Sequence, residues 1–245
     1  MVTKNQIKLI KSLHQKKYRK EHQLFIAEGV KVIGELVQSS LVLEHIYCTE
    51  TLNFNVSPDK VTLVSKDDLK KMSALSTTSN CLAVFHCMQE KEVDYSDLVV
   101  ALDDIRDPGN LGTIIRLCDW FGIKHIICTS ETVDVYNPKV VQATMGSIAR
   151  VNLVYGDLPS LIQAENDIAV YGTFMDGDNI YEKTVSNKGI IVMGNEANGI
   201  SSTIESLVTE RIAIPRYGNL QQTESLNVAM AASIVLSEFR RHNFK

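Results

Sequence analysis

The sequence predicts an α/β protein whose C-terminal part is built on a mostly parallel sheet. Six short apolar runs alternate with helical segments between residues 97 and 241, and this alternation is typical of parallel sheets with helices on both faces. Most of the runs are continuously apolar, as expected for strands that are covered on both sides. Ligands of such sheets bind beyond the carboxyl ends of the strands, so the residues that follow each strand form the candidate site.

The elements of this part are predicted from their apolar patterns. Helices are expected over residues 111–121, 138–148, 158–165, 201–207 and 225–241. The strands are predicted at DLVVALDDI (97–105), HIICTS (125–130), RVNLVYG (150–156), IAVYGTFM (168–175), GIIVMGN (189–195) and ERIAIPR (210–216).

The first part of the chain predicts a smaller α/β domain. A basic helix is expected over residues 4–20, and LFIAEGVKVIGELVQS begins as a strand and becomes a helix near Glu28. LEHIYCT, VTLVS and CLAVFHC predict three more strands, and Ser65 with Asp68 three residues later predicts a capped helix start. The polar stretch MQEKEVDYS has no periodicity and indicates a linker. We therefore predict two domains, residues 1–95 and 96–245.

Composition argues against several classes of protein. The 245 residues are 44% hydrophobic, and no apolar run approaches the roughly 20 residues of a membrane span. The N-terminus lacks the apolar region of a secretory signal. Five cysteines, an odd number without a C-x-x-C pair, fit free thiols in a reducing cytoplasm. The histidines lack metal-ligand spacing, and dinucleotide, P-loop and nucleophile-elbow motifs are missing, so we expect no metal site.

Positive charge is concentrated near the N-terminus. The net charge of the chain is −4, but residues 1–24 carry seven Lys and Arg against one acidic residue. Lys16, Lys17, Arg19 and Lys20 are the candidates to bind the phosphates of a nucleic acid. The alternative is a solvated helix face, and charge alone does not separate the two interpretations.

The first C-terminal strand leads into DDIRDPGNLGTIIRLCDWFG, which contains two candidate residues. Pro108-Gly109 predicts a turn, and Asn110 stands where a helix N-cap is expected. Arg116 lies in an otherwise apolar helix and needs a partner or a ligand. A capping asparagine and a partnered structural arginine are the alternative.

Polar residues also follow the fifth and sixth strands. The fifth leads into MGNEANG, where Gly194 permits close backbone approach to a ligand and Glu196 can accept a hydrogen bond from a hydroxyl or an arginine. Its alternative is a turn with an exposed acid. Ser225 and Asn227 open the last helix, where Ser225 has the residue type of a cap. Three sequence-distant strand ends with polar groups indicate one composite site.

These motifs together resemble the SpoU (TrmH-like) family of the SPOUT class of RNA methyltransferases. DPGNLGTIIRLCDWFG, IIVMGNEANGIS and IAIP…ESLNVAMAASI match its three motifs, in order. KYRKEHQLFIAEGVKVIGEL and TTSNCLAVF are similar to the family's substrate-binding domain, which resembles ribosomal protein L30e. The resemblance covers nearly the whole chain. The positions that match its catalytic residues are Asn110, Arg116, Glu196, Ser225 and Asn227.

The resemblance implies a fold, a cofactor and a product. In this family the C-terminal sheet forms a trefoil knot, which binds S-adenosylmethionine largely through backbone groups, and the protein works as a homodimer. By position, the cofactor contacts are Thr173, Gly194, Ile214 and Leu226. The product is 2′-O-methylated RNA, and the separate N-terminal domain favours 23S ribosomal RNA. The same chemistry on tRNA, or a non-catalytic RNA-binding or ribosome-assembly factor, are the alternatives.

The resemblance leaves the role of Arg116 open. The family proposal makes this arginine the general base, although a guanidinium ordinarily keeps its proton far above neutral pH. The other role is a clamp on the 3′-phosphate that favours ionisation of the hydroxyl while another group takes the proton. Glu196 is expected to orient Arg116 or the ribose hydroxyl. The sequence does not identify the methylated nucleotide.

Overall fold

A computed structural model describes residues 2–165, 167–217 and 225–241. Its elements begin with α1 Lys4–Ser12, α2 Lys16–His22, β1 Leu24–Glu28, α3 Val30–Val37, β2 Leu43–Cys48, β3 Val61–Leu63, α4 Lys66–Met72 and β4 Cys81–His86. They continue with β5 Leu98–Leu102, α5 Pro108–Trp120, β6 His125–Thr129, α6 Pro138–Thr144, β7 Asn152–Gly156, α7 Leu158–Ile162, β8 Val170–Asn179, β9 Gly189–Met193, α8 Ser202–Glu205, β10 Glu210–Ala213 and α9 Val228–Arg240.

The chain divides into two compact units. Unit 1 contains Met1–Gln89 and Asp134–Arg150, and unit 2 contains Glu90–Val133 and Val151–Lys245. The division at residue 95 stays a prediction, and the contacts add a segment that the sequence did not assign to the first part. This segment joins unit 1 because α6 packs against β1 and the ring of Tyr136 lies 4.8 Å from that of Phe25.

Unit 1 is a four-stranded sheet with the order β1-β4-β2-β3, in which only the β2–β3 pair is parallel. One face is covered by α1 and α4, whose Ile10 and Met72 are buried. Ser65 caps α4 by accepting from the Asp68 amide, as predicted. The predicted single helix over residues 4–20 is wrong, because α1 ends at Ser12 and α2 begins at Lys16. The buried Leu13 lies in the break, where its carbonyl accepts a hydrogen bond from Arg19.

Unit 2 is a six-stranded sheet with the order β10-β8-β9-β5-β6-β7, and every pairing in it is parallel. The predicted parallel α/β architecture is confirmed. Helices α7 and α8 cover one face, over apolar side chains such as Val99 and Val192. Helices α5 and α9 pack against each other, and Phe239 of α9 meets Tyr171 of β8 edge to face at 4.8 Å. Since neighbouring strand residues point to opposite faces, α9 lies on the face opposite Val170.

All five cysteines are free, and four of them are buried. Burial raises the pKa of the Cys81 and Cys87 thiols to about 12, and it raises the pKa of Cys118 and Cys128 further. These thiols therefore stay protonated and unreactive at neutral pH. Among the described residues, no helix has the length and apolar character needed to cross a bilayer.

Candidate active site

The site is built where β5 and β9 end side by side. The two strands pair in parallel up to Leu102 and Met193, and the amide of Asp103 donates to the Met193 carbonyl at 3.0 Å. The β5–α5 connection and the loop after β9 therefore leave the same edge of the sheet as neighbours. This edge is the one at which ligands of parallel sheets bind.

Three of the predicted residues form one chain of hydrogen bonds at this edge. Asn227 Nδ2 donates to Asn110 Oδ1 at 2.9 Å, and Asn110 Nδ2 donates to Glu196 Oε1 at 2.8 Å. These residues follow β5, β9 and β10 and are 117 and 86 positions apart in sequence. The structure thus brings Asn110, Glu196 and Asn227 together, as the composite-site interpretation predicted.

The capping role expected for Asn110 is wrong. The N-cap of α5 is Asp107, whose carboxylate accepts from the Asn110 amide at 2.8 Å. Pro108 takes the first helical position, where a missing N–H costs nothing. Asn110 therefore lies inside the first turn, and its side chain is available to the site.

The N-cap of the last helix, α9, also differs from the residue that the sequence suggested, Ser225. Its N-cap is Asn227, whose Oδ1 accepts from the amides of Ala229 and Met230 at 3.0 and 3.2 Å. Ser225 lies outside the helix, is exposed, and does not cap it. Asn227 thus caps α9 with its oxygen and binds Asn110 with its nitrogen.

Arg116 stands on the exposed face of α5. Within residues 2–165, 167–217 and 225–241 its guanidinium forms no hydrogen bond or ion pair, so the alternative of a partnered structural arginine does not hold there. Within one chain, Glu196 binds Asn110 instead of orienting Arg116. The positive charge of Arg116 is available to a ligand.

Three further residues, which the sequence interpretation missed, hold the loop that carries Glu196. Asn195 Nδ2 donates to the Asp104 carbonyl at 2.7 Å, and its Oδ1 accepts from the amides of Ala197 and Asn198. The buried Asp103 carboxylate accepts from the Ser201 amide at 2.7 Å. Asp104 has a left-handed backbone, with φ of 59°. The only sequence signal was a pair of acids directly after an apolar strand.

Gly194 is needed by the loop itself. A Cβ there would lie 2.3 Å from the Gly199 carbonyl carbon and 2.4 Å from the Ile200 nitrogen. This space is closed because Asn195 and Gly199 exchange two backbone hydrogen bonds of 2.9 Å. Close approach of the cofactor to Gly194 stays a prediction.

The predicted cofactor residues follow adjacent strands. Thr173 lies in β8 and donates to the Val192 carbonyl at 3.0 Å, Gly194 follows β9, and Ile214 follows β10. All three are half-buried, whereas Leu226 is 50% exposed. The set presents apolar and backbone groups without charge.

The four predicted RNA contacts separate into two kinds. Lys16, Lys17 and Lys20 are exposed on α2. Arg19 is buried, and its Nε donates to the Asp134 carboxylate at 2.9 Å. An exposed role for Arg19 is therefore wrong, because its charge is used inside unit 1. No group of three His, Cys, Asp or Glu residues with metal-binding geometry occurs in the part of the chain that the structure describes.

We expect Gly194→Ala to displace the loop without unfolding the sheet. The new methyl group overlaps backbone atoms, and overpacking of this kind costs about 1–3 kcal/mol. Urea unfolding should show that loss, and hydrogen exchange should quicken in residues 195–199. The matched control is Gly34→Ala in helix α3, where no atom lies within 4 Å of the new Cβ; it should be neutral or stabilising. Equal stability of the two variants would contradict the close packing of the loop.

Comparison with known proteins assigns both parts of the chain to families. Residues 97–237 match the SpoU rRNA Methylase family, and residues 4–83 match the MRM3-like substrate binding domain. A 23S rRNA (guanosine(2553)-2′-O)-methyltransferase of Bacillus subtilis, RlmP, is 30% identical over 97% of each chain.

Solved structures agree. A putative RNA methyltransferase of the TrmH family from Porphyromonas gingivalis is 37% identical, with a TM-score of 0.89 over 98% of this chain and 99% of the other. An AdoMet-bound rRNA methyltransferase from Sinorhizobium meliloti is 27% identical, with a TM-score of 0.85 over 100% and 97% of the two chains. With the matching motifs at one edge of a parallel sheet, the chain belongs to the SpoU rRNA methylase family.

Proposed function

We propose that this enzyme transfers a methyl group from S-adenosylmethionine to a ribose 2′-hydroxyl of 23S ribosomal RNA. The observation that carries the proposal is the hydrogen-bonded chain of Asn227, Asn110 and Glu196 at the strand ends, on the same unit as Arg116. The named relative RlmP acts on 23S rRNA, which supports that substrate over tRNA. A non-catalytic factor would not need this set of polar groups.

The half-buried residues after β8, β9 and β10 suit the cofactor. A neutral surface of Thr173, Gly194 and Ile214 accommodates the adenosine and apolar parts of S-adenosylmethionine, and Leu226 adds apolar area. The AdoMet-bound relative supports this assignment. When bound, S-adenosylmethionine supplies a methyl group already activated by a positively charged sulfur. The residues of the chain then only bind, orient and help remove the hydroxyl proton.

We assign Arg116 the role of a phosphate clamp. A guanidinium keeps its charge in proteins and presents paired N–H donors that match a phosphate. Its exposure and its lack of a partner among the described residues leave all these donors available. Holding the ribose in line in this way contributes to the roughly 7–11 kcal/mol that positioning can remove from a barrier. Ser225 is exposed two residues before Asn227, and we assign it to the proposed site.

The difference in charge between the two units supports RNA binding by unit 1. Unit 1 has 14 Lys and Arg against 9 Asp and Glu, a net charge of +5, whereas unit 2 has 11 against 20, a net charge of −9. A polyanion is attracted by the first and repelled by the second. Lys16, Lys17 and Lys20, which are exposed on α2, are the proposed phosphate-binding residues.

We propose a homodimer that forms through α5 and α9. These helices pack together. Trp120 of α5 is 84% exposed, Met230 of α9 is 63% exposed, and Leu226, which precedes α9, is 50% exposed. Exposed large apolar side chains on packed helices support an interface there. We also propose the knotted path of the chain that the resemblance implies, because β10 lies beside β8 and α9 packs against α5. An experimental chain trace from Gly194 to Asn227 tests the knot.

Five free cysteines support a cytoplasmic location.

Two measurements test the function. Calorimetric titration with S-adenosylmethionine should give one site per chain. Ribose-methylation mapping of ribosomal RNA from cells with and without the gene should show one 2′-O-methyl group that depends on it. If the folded protein binds no cofactor at millimolar concentration, the proposed enzymatic activity is contradicted and the RNA-binding factor is favoured. If the gene-dependent methyl group is found on tRNA instead, the assignment of 23S ribosomal RNA as the substrate is contradicted.

Replacement of Arg116 should distinguish a phosphate clamp from a general base. We expect Arg116→Ala to abolish methyl transfer while cofactor affinity stays unchanged, because the side chain holds RNA. Arg116→Lys should keep part of the activity with an unaltered pH profile if the charge clamps a phosphate. If the side chain is the general base, lysine, which loses its proton about 2–3 pH units lower, should give a shifted profile. Loss of cofactor binding in Arg116→Ala would make the residue structural.

The charge assignment predicts a difference in salt dependence. Lys16→Gln combined with Lys17→Gln and Lys20→Gln should weaken RNA binding and reduce the slope of log K against log salt by about 1 for each phosphate that is no longer bound. The matched control replaces Lys91, Lys124 and Lys188, which are exposed on unit 2. It removes the same charge and should leave both quantities unchanged. Equal effects of the two triple variants would mean that only net charge matters.

The single tryptophan reports the proposed interface directly. Trp120 is 84% exposed in one chain, so its emission should move to shorter wavelength as the protein dimerises. Emission spectra and sedimentation equilibrium over the same concentration range should give one dissociation constant. A dimer whose emission does not change would place the interface away from α5.

A further inference from the structure

The orientation of the Asn227 amide is set by helix α9. The first turn of a helix offers only N–H donors, and Asn227 Oδ1 accepts two of them, from Ala229 and Met230. The oxygen must therefore face the helix. The nitrogen, which is a donor only, faces Asn110.

This orientation fixes the Asn110 amide in turn. A donor on Asn227 requires the oxygen of Asn110, so Asn110 Oδ1 is used at 2.9 Å. Only Nδ2 is left to face Glu196, to which it donates at 2.8 Å. An amide turned the other way would oppose two donors on one side and two acceptors on the other, and neither hydrogen bond would form.

The result is a carboxylate with one oxygen held and one oxygen free. Glu196 Oε1 accepts from Asn110. Its Oε2 forms no hydrogen bond with residues 2–165, 167–217 or 225–241, and the side chain is exposed. The loop is held separately, by Asn195 on Asp104 and by Ser201 on Asp103. The two amides are thus needed for the direction of the carboxylate, whereas the loop has its own supports.

We propose that Asn227 and Asn110 are positioning residues of a one-way hydrogen-bond relay that holds Glu196 as an acceptor, and that Glu196 Oε2 accepts a hydrogen bond from the hydroxyl of the substrate ribose. This inference rests on the proposed function. It divides the recognition of one nucleotide between Arg116, which binds the phosphate, and Glu196, which binds the hydroxyl.

The relay also distinguishes substrate from product. A ribose 2′-hydroxyl donates to Glu196, whereas a 2′-O-methyl group or a deoxyribose has no hydrogen to donate. An acceptor left without its donor costs binding free energy. The site therefore binds the unmethylated ribose and releases the methylated one.

The first test keeps the helix cap and removes the donor. Asn227→Asp retains an oxygen that caps α9, because aspartate and asparagine cap about equally well. Asn110 then lies between two carboxylates and can donate to only one. We expect kcat to fall about 10- to 100-fold, with melting temperature and cofactor affinity near those of the wild type.

The second test reverses the relay. In Asn227→Asp combined with Glu196→Gln, Asn110 donates to position 227 and accepts from position 196, so every hydrogen bond is restored with opposite direction. Hydrogen exchange in residues 195–199 should return to the wild-type rate. Methyl transfer to large-subunit RNA from cells that lack the gene should recover in part relative to Glu196→Gln alone, because the reversed relay uses the amide nitrogen at position 196 and leaves its oxygen as an acceptor for the ribose hydroxyl.

A matched asparagine serves as the control. Asn179 Oδ1 accepts from the Tyr181 amide and its Nδ2 donates to Glu182 Oε1 at 2.8 Å, the same bonding pattern as in the relay but at another place. Asn179→Asp should leave kcat unchanged.

Two results would overturn the inference: wild-type kcat in Asn227→Asp, or methyl transfer in the double variant that is no higher than in Glu196→Gln alone. Failure of the proposed function is distinguishable, because then the wild type itself transfers no methyl group. The exchange rates of the loop in the single and double variants still report whether the relay exists.

Discussion

The parallel pairing of β5 with β9 is the constraint on which the site depends. It ends at Leu102 and Met193 and is extended by the hydrogen bond from Asp103 to Met193, so two connections emerge together from the sheet. One becomes the first turn of α5 and the other becomes the loop of Glu196. The hydrogen bonds that involve Asn195, Asp103 and Asn110 tie this loop to the connection after β5. The loop is therefore anchored to the centre of the sheet.

The same residues cap the helices and build the hydrogen-bonded chain at this edge. Asn227 satisfies exposed donors of α9 and at the same time directs Asn110. Asp107 caps α5 and thereby leaves the Asn110 side chain unused by the helix. The capping of the two helices and the orientation of Glu196 therefore depend on the same short side chains.

Sequence patterns predicted the parallel sheet, its six strands and the residues that meet at its edge, because apolar runs and strand order determine which ends are neighbours. They failed where tertiary contacts decide. Asn110 has the residue type of a cap, but Pro108 moves the cap to Asp107. Arg19 lies in a basic stretch that predicts an exposed helix face, but its side chain is buried where it binds Asp134, which is 115 residues away in sequence. The role of Asn195 could not be recognised, because its side chain donates to the backbone carbonyl of Asp104, and such a contact does not depend on the residue type at position 104. Packing partners so distant in sequence leave no local signal.

Because the segment from Asp134 to Arg150 belongs to unit 1, dividing the chain at one position does not separate the two units. The chain enters unit 2 at Glu90, returns to unit 1 at Asp134 and leaves it again at Val151. A fragment that stops near residue 95 would lack the aspartate that neutralises Arg19 and the tyrosine that packs on Phe25. The recognition and catalytic parts of this protein are therefore not exchangeable as simple consecutive modules. A chimera that takes the part matching the substrate binding domain from a relative must also take this short segment from the middle of the chain.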